Sequence, residues 1–192
     1  MCEGAPPEMP EHAHPRPSPR LLAVATVLLV LTLGVDRWTK VLAQQHLKGT
    51  PRQSFLADTV RLDYAENRGA FLSLGASLSE GARMAIFSWA VGALLLGLTA
   101  AVYLRRDLSA RARLALAAVA SGGLGNLYDR VFENGVVTDF MNLGIGPLRT
   151  GIFNVADVAI VVGVALLALP EKDGKPAAPP GGDGDAQPPA SA

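Results

Sequence analysis

Four stretches of this chain are too apolar, for too long, to suit a soluble fold. Residues 21–35 are continuously apolar or small, and the helical pattern carries on through Asp36, Trp38, Lys40 and Leu42. Residues 84–104 form a second run, bounded by Arg83 and by Arg105 and Arg106. A third, 114–127, is rich in Ala and Gly, and a fourth covers 152–169. A helix needs about 20 mostly apolar residues to cross a bilayer. Small residues let helices approach closely in lipid, where packing drives association. We expect an α-helical membrane protein with four transmembrane helices.

Four crossings place both termini on one side. The loop between the second and third runs, RRDLSARAR at 105–113, is short and strongly basic, which marks that side as cytoplasmic. Segments 47–80 and 131–151 then lie outside. Each holds an alternating piece, at 59–64 (TVRLDY) and around 136–141, and alternation reads as a short strand. After the first of these, Asn67 and Gly69 are turn chemistry, and Phe71, Leu72 and Leu74 are expected at the membrane surface. Residues 1–20 are Pro-rich with mixed charge, and 170–192 are dominated by Pro, Gly, Asp and Ala. Both are expected to be disordered cytoplasmic tails flanking a membrane domain at 21–169.

Formal net charge is zero, so there is no basic footprint for nucleic acid. Cys2 is the single cysteine; it can form no internal disulfide, and no cluster offers a metal site. His12, His14 and His46 all lie off the apolar runs and no HExxH occurs, which disfavours Ser–His and metalloprotease schemes. A Ser121–Lys40 pair stays open, although Ser121 lies deeper in its run than Lys40 does.

The chemistry gathers at the outer ends of the runs, where four carboxylates fall: Asp36, Asp129, Asp139 and Asp157. Asp36 has Lys40 one turn on, and Asp129 adjoins Arg130. Asp139, in VVTDFMNL, and Asp157, in NVADVAI, have no basic neighbour in sequence. A charge at mid-bilayer costs about 2.5–3.5 kcal/mol, so an acid there is a functional-site hypothesis by default. Two such carboxyls facing each other can share one proton. One member then activates a water while the other protonates a leaving amine. Asn154 and Asp157, three apart, share a helix face, and Gly122, Asn126 and Arg130 form one stripe. The amides of Asn67, Asn126 and Asn154 suit hydrogen bonding to a peptide backbone.

Plainer readings stand beside these. Asp36–Lys40 and Asp129–Arg130 are also what structural ion pairs look like. Gly122 and Gly123 suit helix packing, Asn154 and Asp157 suit a helix N-cap, and Trp38 and Trp89 suit the membrane interface. Asp139 alone could be an ordinary loop residue. A small proton-coupled transporter is the competing class. Acids crowded at the outer ends argue against it, since a translocation path places polar groups at the midplane.

Five segments carry a resemblance: DRWTK at 36–40, ENRGAFLSLG at 66–75, GGLGNLYDR at 122–130, VVTDF at 136–140 and FNVAD at 153–157. With these in order on a four-run background, the chain resembles lipoprotein signal peptidase, that is signal peptidase II, a bacterial membrane aspartyl peptidase family. The resemblance implies four transmembrane helices with a small extracytoplasmic β-sheet cradle. It implies removal of signal peptides from diacylglyceryl-modified prolipoproteins, by a cut just before the lipidated cysteine. It implies a catalytic pair at Asp139 and Asp157, and substrate-binding or site-stabilising roles at Asp36, Lys40, Asn67, Gly122, Asn126, Arg130 and Asn154. No metal or organic cofactor is implied. Prolipoproteins and membrane lipid are the expected partners, with a monomer in the bacterial inner membrane and the site at its outer face. Two positions depart from the family pattern. Thr138 replaces a usual apolar residue, and its hydroxyl is expected to bond Asp139 and lower its pKa. Asn142 stands where an acid is common.

Overall fold

The computed structural model describes residues 16–68 and 79–170. The expectations for the two tails lie outside these, in whole or nearly so, as do those for Gly69, Phe71, Leu72 and Leu74. Four helices result: α1 (Pro19–His46), α2 (Glu80–Leu104), α3 (Ala110–Phe132) and α4 (Val155–Ala168). Each starts on a small polar side chain that accepts a backbone N–H of the first turn: Ser18, Ser79, Ser109 and Asn154. Such caps satisfy donors that a helix start otherwise leaves orphaned. At the opposite end two arginines serve the carbonyls. Arg113, fully buried, donates to Val102 O and to Arg105 O at the end of α2. Arg111 donates to Leu169 O and Pro170 O at the end of α4. A cation there also meets the negative end of the helix dipole.

α3 packs against all three other helices. Its Ala and Gly content permits this. A Cβ added at Gly163 of α4 would lie 2.7 Å from Ala115 O, and one at Gly122 would lie 2.8 Å from Ile160 Cγ1. The outward faces of α1, α2 and α4 are apolar, with Val27, Leu31, Leu94, Leu96, Val161 and Val164 exposed. By length and composition α1 can cross a membrane, and the apolar helical runs Ser88–Leu104 and Val155–Ala168 are shorter.

A four-stranded antiparallel sheet closes one end: β1 (Gln53–Phe55), β2 (Val60–Asn67), β3 (Val137–Ile145) and β4 (Leu148–Arg149), in that spatial order. β2 and β3 are the two alternating pieces. β1 and β4 have three and two residues, too short to show a period. The turn before β2 holds Leu56, Ala57 and Asp58 at positive φ. The Asp58 carboxylate fixes it by accepting from Ser54 and Arg61, and these partners hold its pKa well below the ordinary carboxylate range. Phe140 packs with Ala43 and Leu47, seating the sheet on the end of α1.

Candidate active site

β3 carries Asp139 and the first turn of α4 carries Asp157. Phe153 bonds to Met141 just before α4 begins, so strand and helix meet at Asn154. Asn154 is the hub. Its Nδ2 donates to Asp139 Oδ1 at 2.6 Å and to Asn126 Oδ1 at 3.1 Å. Its Oδ1 accepts Asp157 N at 3.0 Å, while its own N donates to Asp157 Oδ2 at 3.1 Å. That reciprocal pair is a capping box, so the plain reading of Asn154 and Asp157 as a helix cap is realised. The same two residues also bind Asp139 and Asn126.

The remaining carboxylate oxygens are held by amides. Asn67 Nδ2 donates to Asp139 Oδ2 at 3.0 Å, and Asn126 Nδ2 donates to Asp157 Oδ1 at 2.8 Å. The sheet register explains the first contact. Ala65 lies opposite Asp139 and Asn67 opposite Val137, so Asn67 is the diagonal neighbour of Asp139 on the same face. Asp139 is 3% exposed. Burial, the largest cause, raises its pKa; bonds from Asn67 and Asn154 oppose this, Asp157 adds to it and Lys40 works against it. The charge of Asp157 therefore bears directly on the protonation of Asp139.

Behind these lies a buried charge cluster. Lys40 Nζ sits 2.9 Å from Asp36 Oδ2, 3.0 Å from Asp129 Oδ2 and 3.0 Å from Asn126 Oδ1. Lys40, Asp36 and Asp129 are each no more than 1% exposed. Asp36 Oδ1 accepts Ala156 N at 2.9 Å, capping another first-turn donor of α4. Arg37 bridges Asp129 and Glu133, at 2.6 Å each. The Asp129–Arg130 pair expected from adjacency does not form. Successive helical residues point about 100° apart, and Arg130 instead donates to Asn126 O at 3.3 Å. Gly122 is a close contact of α3 with α4, at Ala156, next to Asp157 in the chain, and at Ile160. Ser121 donates to Ala118 O while Lys40 is committed elsewhere, so no Ser–Lys pair exists.

Thr138 corrects the sequence reading. Its hydroxyl accepts from Gln44 Nε2 at 3.0 Å, because neighbours on a strand face opposite ways. It has no bond to Asp139, whose pKa is raised rather than lowered. Asn142 donates to Thr150 O at 2.6 Å and accepts from Arg149 Nε at 2.7 Å, a link between β3 and β4. Sequence reasoning missed Arg37 and the partners of Asp129. Both lie inside quoted motifs, DRWTK and GGLGNLYDR, but the contact joins residues 92 apart. Among the described residues no cluster of His, Cys, Asp and Glu could hold a metal ion.

The family model of signal peptidase (SPase) II matches residues 28–171. The lipoprotein signal peptidase of Clostridium acetobutylicum is 34% identical over 157 residues, 77% of this chain and 98% of that one. That of Treponema denticola is 33% identical over 139 residues, covering 70% and 80%. Two solved structures of a bacterial membrane enzyme, obtained by the in meso method, share the fold. Their TM-scores are 0.63 and 0.66 at 23% identity, over 81% of this chain and 90% and 95% of theirs.

Proposed function

The chain belongs to the signal peptidase II family, and from that premise we propose that it is an aspartic endopeptidase that removes signal peptides from diacylglyceryl prolipoproteins. The cut falls just before the lipidated cysteine, and Asp139 and Asp157 are the catalytic pair. One observation carries this reading: two carboxylates from different elements converge on one asparagine, Asn154, and among the described residues no ion pair to either is seen. With Asp157 disfavouring a second charge on Asp139, the pair holds one proton as a unit. The ionised member takes a proton from a water that attacks the carbonyl carbon. The protonated member polarises the carbonyl oxygen, then gives its proton to the departing amine as the C–N bond breaks. Asn67, Asn126 and Asn154 hold the carboxylates in place, and Asp36 and Lys40 fix the first turn of α4 behind them. Arg130, at the outer end of α3, is assigned to the substrate side, and Gly122 to the approach of α3 to α4.

In this reading the four helices form the membrane domain at 21–169, with α1, α2 and α3 crossing the bilayer and α4 entering it from the cytoplasmic side. The basic loop before α3 lies in the cytoplasm of a bacterial inner membrane with both termini, and the sheet lies outside. At 1.5 Å per residue α1, α2 and α3 are ~42, ~37 and ~34 Å long, enough for a hydrocarbon core of about 30 Å. α4, with 14 residues, reaches only ~21 Å. Anchored at its cytoplasmic end by Arg111, it stops short of the outer boundary. The carboxylates are thus sunk below the membrane surface, at the depth where a cysteine with two acyl chains is held. The enzyme acts as a monomer in this reading, which needs no group from a second chain.

The test uses purified protein in lipid nanodiscs with a diacylglyceryl-modified prolipoprotein, and reads released signal peptide. The wild type cleaves. Asp139→Asn and Asp157→Asn each lose about 10³-fold or more while still accumulating in the membrane. Wild-type rates in either variant would remove the pair from the mechanism. Proton flux without cleavage would return the chain to the transporter class.

A further inference from the structure

Asp129 is the buried acid that the reaction above leaves without a role. Oδ1 of its carboxylate lies 2.6 Å from Arg37. Oδ2 meets Lys40 at 3.0 Å and also accepts the backbone N–H of Thr138 at 3.2 Å. The peptide it grips, Val137–Thr138, lies one residue before Asp139 on β3. The cation it meets is one asparagine removed from Asp157, because Asn126 accepts from Lys40 and donates to Asp157.

Charge balance gives these contacts a consequence. α1 brings two cations to this place, Arg37 and Lys40, and one anion, Asp36. Loss of Asp129 leaves Asp36 and the partly exposed Glu133 as their counter-charges and makes the side behind the catalytic pair one unit more positive. Added positive charge favours the doubly ionised pair. That pair can still activate water but has no proton for the leaving amine. The other charged groups nearby are Glu133 and Arg130 on α3, with Glu66 and Arg68 at the end of β2. Glu133 pairs with Arg37 but is more than a third exposed, so solvent weakens its field. Arg130 is bonded to Asn126 O, and Glu66 is paired with Lys48.

We infer that Asp129 is a positioning residue of the cleavage reaction: it fixes the strand that carries Asp139 and cancels the Arg37–Lys40 charge, so that the catalytic pair keeps its one proton. This rests on the assignment of Asp139 and Asp157 above. It goes beyond it in making an acid that touches no substrate control the pH range of the enzyme.

The experiment measures kcat and KM against pH for the full chain in nanodiscs with a lipidated prolipopeptide, and Tm alongside. In Asp129→Asn the upper pH limit of kcat moves toward acid by about one unit, the order expected of one charge at this range. At pH values well above the wild-type limit kcat falls about tenfold, which is what that shift implies, and KM changes little. Adding Arg37→Gln to Asp129→Asn restores the charge balance and returns the limit toward the wild-type pH. A residue that only holds the fold would lower kcat evenly at all pH values, and the double variant would be worse. That result overturns the inference. If Asp129→Asn does not accumulate, Asp129→Glu decides. It keeps the charge and must keep the wild-type pH limit even where kcat drops; a displaced limit refutes the idea. Cleavage by Asp139→Asn or Asp157→Asn in the same assay would bring down the catalytic pair itself. Dead pair variants with an unmoved limit in Asp129→Asn would bring down only the role of Asp129.

Discussion

Two adjacent glycines on α3 offer a sharp test of how packing sets the catalytic geometry. A methyl group added at Gly122 would meet Ile160 Cγ1 at 2.8 Å and the carbonyl carbon of Ala156 at 3.2 Å, with the Ala156 oxygen closer still. Carbon atoms at ease sit about 3.5–4.0 Å apart. The backbone carbonyl cannot rotate away, so α4 must retreat by about 1 Å. Ala156 lies between Asn154 and Asp157, and its N–H is the one bonded to Asp36. The retreat therefore moves Asp157 against Asp139. A shift of that size can cost about 10²-fold in rate, and the overpacking costs about 1–3 kcal/mol of stability. At Gly123 the nearest atoms are the methyl ends of Leu95 on α2, a flexible side chain on another helix. The expected outcome is that Gly122→Ala accumulates, binds substrate with little change in KM and loses about 10²-fold in kcat. Gly123→Ala keeps kcat within about threefold, since only one rotamer must adjust. Cleavage of a lipidated prolipopeptide by purified variants gives both constants. Equal kcat losses at the two glycines, or none at Gly122, would refute the link between this contact and the placement of Asp157.

Lys40→Met leaves Asp36 and Asp129 buried without their shared cation, a loss of about 3–5 kcal/mol. Tm should fall by about 10 °C, whereas Arg52→Ala, which breaks an exposed pair with Asp63, should leave Tm nearly unchanged. Thr138→Val removes the bond from Gln44 and should cost about 1 kcal/mol without moving the pH limits of activity; moved limits would mean that the hydroxyl reaches Asp139 after all. The raised pKa of Asp139 has a definite sign. Its contribution to stability is complete at pH values below the ordinary carboxylate range and is lost as pH rises through the raised folded value. The Tm of Asp139→Asn minus that of the wild type should accordingly grow from acid to neutral pH, and a difference independent of pH would count against the burial cause.

Local chemistry was legible in this sequence and long-range contact was not. Alternation around 59–64 and 136–141 located β2 and β3, although in the fold β3 is buried on both faces from Val137 to Phe140. The strand period of two places Asn67 with Asp139 and turns Thr138 away. Asp139 and Asp157 stood out by lacking basic neighbours. That criterion picked out two carboxylates that amides hold, here Asn67, Asn126 and Asn154. It failed for Asp129, where adjacency suggested Arg130 while the true partners come from α1. Nothing in a one-dimensional string states that Lys40 meets a residue 89 positions away. Only the meeting of α1 with α3 creates that contact.

The pairing of β2 with β3 has a temporal side. The two strands leave the ribosome with α2 and α3 between them, and α4 follows last. Asp139 has no Asn67 beside it until α2 and α3 have been made, and no Asn154 until α4 starts. A chain still being made thus lacks Asp157 until α4 emerges, and the proposed pair of acids closes only at that last step.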